Sequence, residues 1–234
     1  MSASVQWPRS RIIWSRSARI VPSRFPPVGP FDRVAEPRDL ETVFAIESLT
    51  NDRLREAWGQ LALVPPDDRV SGPGTTPIMA AFTHPSTIGS RFAAPGVGVY
   101  YAAKGLETAV IETVFQHERF LRASVSPAGE FDMRVYYAPV LATLCDLRPL
   151  RARETWLYDP DPAHYPRTQA LAGRLRAAGE KGLVYQSVRD LNGECVALFR
   201  PRLVGPCTQG EHLTYVWDGR QITNVYIKSP YNPR

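Results

Sequence analysis

The chain has 234 residues, a length that supports one sizeable hydrophobic core and is short for two independent ones. Hydrophobic residues make up 44% and charged residues 22%, a balance that excludes a disordered chain. No apolar run reaches the roughly 18 residues of a transmembrane helix, and residues 1–8 lack the pattern of a signal peptide. We therefore expect a cytoplasmic protein that does not enter a membrane.

The net charge of +5 at pH 7 is compatible with nucleic acid or with an anionic small molecule as partner. The arginines are spread along the chain and are densest between residues 9 and 24. No aromatic–basic stripe or nucleic-acid reader motif accompanies them. A solvated basic surface is the ordinary interpretation, and an anionic substrate explains the surplus equally well.

The cysteines Cys145, Cys195 and Cys207 are odd in number and show no CxxC spacing, which argues against a disulfide framework and a zinc site. The four histidines are scattered and form neither an HxxxH nor an HExxH pattern. The sequence therefore predicts no metal.

The amino-terminal part is predicted to be irregular at first and helical afterwards. Up to about residue 37, closely spaced prolines predict an extended run with one short strand at 19–21. Apolar spacing predicts a helix over 40–58, broken near its middle, with a second helix at 54–61.

The central part is predicted to contain a loop–strand–helix unit. A turn-rich connection over 64–76 leads into a short apolar segment at 77–83 that faces the core. Residues 97–103 are β-branched and aromatic, which predicts a strand, and 106–121 carry the apolar stripe of an amphipathic helix.

The second half is predicted to be rich in strands around one helix at 165–178. Strands are predicted at 131–140, 142–147, 182–188, 195–199, 213–217 and 222–226. The last two are expected to form a hairpin. The whole pattern predicts an α+β protein in a single domain.

Four residues of the central unit are candidates for a functional role. Arg91, in the loop Gly-Ser-Arg-Phe, can hold a phosphate through paired hydrogen bonds. Tyr100 and Tyr101 point to opposite faces of the strand, so one can face a cleft. Glu112 has apolar neighbours on the helix, a setting that favours a catalytic carboxylate. An ion-paired surface arginine, packed tyrosines and a solvated glutamate are the ordinary alternatives.

Ser187 ends a predicted strand, and no GxSxG motif or histidine context marks it as a hydrolase nucleophile. Neither a GxGxxG nor a GxxxxGK[ST] phosphate-binding loop is present. Taken alone, the residues predict an α+β domain with a site for an anionic ligand.

In this order the motifs resemble the RES-domain family, the toxins of RES–Xre toxin–antitoxin pairs. The arginine, glutamate and serine for which the family is named correspond to Arg91, Glu112 and Ser187. The resemblance covers roughly 15–202 and includes the segments 19–27 and 192–201. Two departures are the motif at 89–93, which reads Gly-Ser-Arg-Phe-Ala where the family commonly has Gly-Gly-Arg-Trp/Phe-Asn, and the segment at about 33–84, which is shorter in compact members.

The resemblance implies a domain organisation and a fold. Residues 1–14 are an amino-terminal extension, and 15–202 are the RES domain with a helical insertion at about 33–84. Residues 203–234 are a carboxy-terminal β-hairpin extension packed on the same domain. The expected fold is similar to that of mono-ADP-ribosyltransferases, with central β-sheets flanked by helices.

The resemblance also implies a reaction, cleavage of the nicotinamide–ribose bond of NAD⁺ by hydrolysis or phosphorolysis, which depletes cellular NAD. NAD⁺ is then a substrate, with no bound cofactor. The implied catalytic residues are Arg91, Glu112 and Ser187, and the implied NAD⁺-binding residues are Arg24, Phe25 and Tyr101. Glu112 is expected to stabilise the positive sugar, Arg91 and Arg24 to hold phosphate, Tyr101 to orient nicotinamide, and Ser187 to bond the ribose or amide.

Two other functions stay open from the sequence. One is a mono-ADP-ribosyltransferase that modifies a protein target, and the other is a non-catalytic basic module that binds nucleic acid. The partner implied by the family is an Xre-like helix-turn-helix antitoxin that blocks the cleft, in a complex compatible with a toxin dimer. Any contact with nucleic acid is then expected through the antitoxin.

Overall fold

The computed structural model describes residues 7–23, 30–34, 36–50 and 58–229. The strands are β1 (Arg9–Pro22), β2 (Tyr100–Ala103), β3 (Gly129–Asp146), β4 (Gly182–Gln186), β5 (Glu194–Leu198), β6 (Thr208–Trp217) and β7 (Ile222–Lys228). The α-helices are α1 (Pro30–Arg33), α2 (Leu40–Thr50), α3 (Thr76–Thr83), α4 (Leu106–Ala123) and α5 (Tyr165–Ala177). Short 3₁₀ helices lie at Pro37–Asp39, Leu61–Leu63, Pro66–Asp68, Arg148–Leu150, Thr155–Tyr158, Pro162–His164 and Pro201–Leu203.

The strands form one sheet in the order β1-β2-β5-β4-β3-β6-β7, and β1 also pairs with β3. Five strands therefore close into a ring, from which β6 and β7 continue as an antiparallel hairpin. The pairing of β3 with β4 is parallel and joins Cys145 to Leu183 and Asp146 to Val184. The single domain of α+β class, with a sheet flanked by helices, is confirmed.

Side chains alternate across each strand and build two hydrophobic cores. One core contains Trp14, Trp58 and Tyr100, and helices α2 and α3 pack against it. The other contains Met133, and helices α4 and α5 cover it. Tyr100 is fully buried while Tyr101 is partly exposed on the opposite face, as the sequence predicted.

The predicted strand at 19–21 is part of β1, but the prediction of an irregular run before it is wrong, because β1 extends over Arg9–Pro22. Pro8 and Pro22 bound this strand and no proline interrupts it. Along its first half, Ile12 and Trp14 are buried while their neighbours are exposed, which is the alternation of a half-buried strand. The exposed Ile13 between them and the arginines on either side, Arg11 and Arg16, hid this pattern.

The two strands predicted at 131–140 and 142–147 are one strand, β3, which continues through Pro139. Pro139 lies opposite the point where the register of β1 shifts, between Trp14 and Ser17. The missing N–H of proline therefore leaves no gap in a regular ladder of hydrogen bonds.

The remaining predictions differ mainly at the ends of elements. Helices α4 and α5 and the two hairpins β4–β5 and β6–β7 lie where the sequence placed them. Strand β2 is shorter than the predicted 97–103, and 77–83 form the buried helix α3. Of the helix predicted at 54–61, residues 54–57 lie outside the described residues, and Gly59 and Gln60 are not helical. Among the described helices, none is long and apolar enough to cross a membrane.

Gly98 allows α3 to approach the chain just before β2. A Cβ atom at Gly98 would lie 2.5 Å from Cα of Phe82 and 2.8 Å from its carbonyl oxygen, and backbone atoms cannot move aside as a side chain can. We expect Gly98→Ala to lower the free energy of unfolding by about 1–3 kcal/mol, measured by urea denaturation. Gly129→Ala, where no described atom lies within 4 Å of the added Cβ, is the control. Equal stability of the two variants would contradict this packing.

Candidate functional site

A cleft of about 350 Å³ opens between β1, β2, helix α4 and the loop that precedes β2. It brings together Arg91, Tyr101 and Glu112, three of the residues singled out in the sequence. Ser187 does not line the cleft but lies directly behind Glu112. Arg24 and Phe25 lie outside the described residues, so their assignment to NAD⁺ stays a prediction.

Glu112 is held from behind by Ser187. The Ser187 hydroxyl donates to Oε1 of Glu112 at 2.6 Å. Its oxygen accepts the backbone N–H groups of Arg189 at 3.0 Å and of Asp190 at 2.9 Å. Ser187 is fully buried, so water does not compete for these bonds. The serine thus fixes the orientation of a half-buried carboxylate that faces the cleft.

A second contact ties the same loop to α4. Thr108, one helical turn before Glu112, donates its hydroxyl proton to Oδ2 of Asp190 at 2.6 Å. Gly193 closes the loop, and a Cβ there would lie 2.4 Å from Cγ2 of Thr108 and 2.6 Å from Oδ2 of Asp190. The loop can therefore approach the helix this closely only with glycine at that position.

Arg91 is buried and is anchored without a carboxylate. Its Nη1 donates to the carbonyl oxygens of Leu157 at 3.2 Å and Asp159 at 2.9 Å. The guanidinium carbon lies 4.8 Å from the ring centre of Tyr165, a cation–π distance. The Arg91 carbonyl accepts the hydroxyl of Thr168 on α5. These contacts fix the side chain and leave its positive charge unneutralised.

Tyr101 shapes the loop that carries Arg91. Its phenolic oxygen accepts the backbone N–H of Phe92 at 3.0 Å and lies 2.8 Å from Oγ of Ser90. Burial raises the pKa of Tyr101 to about 12, so the phenol is neutral at physiological pH. The hydroxyl is thus occupied by the protein, while the residue still lines the cleft.

Arg19 also lines the cleft, and the sequence reasoning did not assign it a role. Its Nη1 donates to the carbonyl oxygen of Tyr101 at 3.0 Å, and its guanidinium carbon lies 4.9 Å from the ring centre of Tyr100. Within the described part of the chain its buried Nε has no hydrogen-bond partner. Burial lowers the pKa of Arg19, which stays charged. The sequence signal that could have identified Arg19 as a cleft residue is its place between the apolar residues Ala18 and Ile20 on one strand.

The charges of the cleft are unusual because they are not paired. Between the described residues, no ion pair joins Arg19, Arg91 or Glu112 to an opposite charge. Two guanidinium groups suit a phosphate-bearing ligand, and the carboxylate suits a centre that becomes positive. Cys195 also lines the cleft, but burial raises the pKa of its thiol well above the usual value, which disfavours a thiolate nucleophile.

A second depression, of about 370 Å³, lies around Trp156, His164 and Arg167. Its histidine already has a carboxylate partner, since His164 Nδ1 lies 2.7 Å from Oδ2 of Asp159. Among the described residues it is lined by one arginine, Arg167, which stacks on Trp156 at 4.3 Å, whereas the first cleft is lined by two. The chemistry therefore favours the first cleft as the functional site. No cluster of three or more metal-ligating side chains occurs among the residues that the structure describes.

We expect Ser187→Ala to lower the free energy of unfolding by about 2–3 kcal/mol, because two backbone N–H groups and Glu112 lose their buried partner. Urea denaturation measures the loss. Ser124→Ala removes a hydroxyl that bonds the Phe120 carbonyl at the exposed end of α4 and is the matched control. Its expected cost is below about 1 kcal/mol. Equal losses in the two variants would contradict the buried role of Ser187.

Comparison with known proteins gives three findings. A protein of Sinorhizobium fredii (strain NBRC 101917 / NGR234), named uncharacterized protein y4oC, is 28% identical over 213 residues, which are 89% of this chain and 85% of that protein. The crystal structure of the M. tuberculosis MbcT–MbcA toxin–antitoxin complex matches with a TM-score of 0.40 and 12% identity, over 55% of this chain and 73% of the other. The family model described as RES domain matches residues 67–218, more than half of the chain. The chain therefore belongs to the RES-domain family, as its motifs indicated.

Proposed function

We propose that this RES-domain protein is the toxin of a toxin–antitoxin pair and cleaves the nicotinamide–ribose bond of NAD⁺. The observation that carries the proposal is the cleft in which Glu112, fixed by Ser187, faces the same space as Arg19 and Arg91. Neither arginine forms an ion pair with a carboxylate of the described residues. The proteins that the sequence resembles act on NAD⁺, whose pyrophosphate and cationic nicotinamide ring suit these charges.

The two arginines are assigned to the pyrophosphate. Guanidinium groups bind phosphate oxygens through paired hydrogen bonds, and partial burial strengthens the attraction. Arg91 uses Nη1 for two carbonyl groups, and no bond to its Nε or Nη2 is formed by the described residues. Those atoms are the donors available to the substrate. Arg24 keeps its predicted role beside them.

Glu112 is assigned to the sugar. As the bond between nicotinamide and ribose breaks, its electron pair leaves with nicotinamide, which departs as a neutral molecule, and positive charge develops on the ribose. A carboxylate held next to that charge stabilises the transition state. An oxygen of water or phosphate then forms the new bond to the anomeric carbon and releases a proton. Water yields ADP-ribose, and phosphate yields its 1″-phosphate.

Ser187 and Tyr101 are assigned to positioning. The family resemblance implies that Ser187 bonds the nicotinamide ribose or amide, but its hydroxyl proton points to Glu112 and its oxygen accepts two backbone N–H groups. This geometry favours a role through the carboxylate. Tyr101 holds the Arg91 loop through its hydroxyl and lines the cleft, and its expected contact with the nicotinamide remains part of the proposal.

The first test is nicotinamide release from NAD⁺ by the purified protein, with phosphate present and absent. Glu112→Gln is expected to lower kcat by about 10²–10³-fold, because the charge that stabilises the sugar is lost while the shape is kept. Glu107→Gln, on the exposed side of the same helix, is the control. Identification of the co-product separates hydrolysis from phosphorolysis. ADP-ribose attached to protein would favour the transferase, and absence of turnover would contradict NAD⁺ cleavage.

The second test addresses the partner. A toxin that depletes NAD⁺ acts in the cytoplasm and requires an antitoxin, which we propose to be Xre-like and to cover the cleft. Expression of the wild-type chain in bacteria is expected to arrest growth and lower cellular NAD, whereas Glu112→Gln does neither. Co-expression of the antitoxin is expected to restore growth. Arrest that persists with Glu112→Gln would contradict toxicity through NAD⁺ cleavage.

A further inference from the structure

Two large apolar side chains stand exposed in the cleft that also contains the charged groups of Arg19, Arg91 and Glu112. Ile88 is 60% exposed and Phe120 is 61% exposed, and both line the cleft. Ile88 belongs to the loop that carries Arg91, and Phe120 belongs to α4. A single exposed apolar residue needs no explanation, but two on different elements of one cleft form an apolar surface for a ligand.

Both walls of the cleft show the same order of polarity. On the loop, Arg91 is 8% exposed and Ile88, three residues earlier, is 60% exposed. On α4, half-buried Glu112 is followed at helical spacing by Gln116 and then by exposed Phe120, all on the same face. On these two elements the charged side chains are therefore less exposed than the large apolar side chains Ile88 and Phe120.

The spacing along α4 gives the distance between the charged and the apolar parts of this wall. Phe120 follows Glu112 by eight residues, which corresponds to roughly 12 Å along a helix axis. A ligand that places a reacting sugar at Glu112 and extends past the arginines therefore reaches Phe120 with a distant part. In a dinucleotide that part is the second base, a flat ring that stacks on aromatic side chains.

We propose that Phe120 and Ile88 form the binding subsite for the adenine ring of NAD⁺. This assignment rests on the proposed function and adds to it the residues that distinguish a dinucleotide from a mononucleotide. Phe120 offers a ring for stacking, and Ile88 contributes an apolar contact from the opposite element. Adenine binds away from the bond that breaks, so its contribution is to substrate affinity rather than to the chemical step.

The test compares NAD⁺ with nicotinamide mononucleotide, which carries the same nicotinamide–ribose bond but no adenosine. Phe120→Ala is expected to raise KM for NAD⁺ roughly tenfold, as loss of a stacked base does, with kcat unchanged. Ile88→Ala is expected to act in the same direction with a smaller effect. Cleavage of the mononucleotide is expected to be the same in both variants and the wild type.

Matched controls are available on β7, where Tyr226 is 56% exposed and Ile227 is 63% exposed, and neither lines the cleft. Tyr226→Ala and Ile227→Ala are expected to leave both substrates unaffected. If Phe120→Ala changed both substrates equally, or neither, the adenine subsite would be wrong while NAD⁺ cleavage stood. A loss of antitoxin binding with unchanged kinetics would assign the two residues to the partner instead, and would also overturn the subsite.

A binding measurement separates the subsite from the reaction. Calorimetric titration with AMP is expected to show binding to the wild type that Phe120→Ala weakens roughly tenfold and Tyr226→Ala does not. This result would support the subsite even if the protein turned over neither nucleotide, which would count against the proposed reaction alone. Equal AMP affinity in the wild type and Phe120→Ala, or no AMP binding by the wild type, would overturn the subsite.

Discussion

The buried hydroxyl of Ser187 is the interaction on which the cleft depends. Its oxygen accepts hydrogen bonds from two backbone N–H groups of its own loop, and its O–H donates a hydrogen bond to Glu112 on α4. A buried donor or acceptor without a partner costs about 1–3 kcal/mol, so the loop and the helix hold each other in place. Alanine would leave three groups without a partner. Because the serine is part of the folded core, the carboxylate is oriented before any ligand arrives.

The arginines follow a different principle, since the fold buries them without pairing them to acids. Arg91 lies on carbonyl groups and on the ring of Tyr165, and Arg19 lies on a carbonyl group and near the ring of Tyr100. These contacts replace part of the lost hydration but cancel no charge. The cleft therefore retains positive charge that an anionic ligand can bind. Partly buried positive charge without an acidic partner lowers stability. Its presence therefore indicates a role in ligand binding.

Sequence patterns predicted the elements whose structure is set locally. Helices α4 and α5 and the hairpin β4–β5 were placed correctly, because apolar periodicity and an Asn-Gly turn act over a few residues. Strand β1 was missed because its partner β3 lies more than a hundred residues away, and no local pattern shows that pairing. The same long-range pairing explains why Arg19 was overlooked as a cleft residue.

Three of the residues singled out in the sequence line the cleft, but their arrangement was not predicted. Arg91, Tyr101 and Glu112 lie in one cleft because they follow one another along a loop, a strand and a helix that pack together. The hydrogen bond from Ser187 to Glu112 depends on where the β4–β5 loop packs against α4. No spacing along the sequence predicts this contact. A sequence does not distinguish a buried serine from an exposed one. The orientation of the Ser187 side chain could therefore be learned only from the structure.

Small residues create the space in which these groups meet. The strands β1 and β2 pair through Ala18 and Ala103, and with Ala109 of α4 these alanines are buried in the wall of the cleft. Side chains of ordinary core size at these positions would fill the volume between Arg19, Tyr101 and Glu112. The pairing of Ala18 with Ala103 therefore has two effects. It joins β1 to β2, and it keeps open the cavity that the charged groups surround.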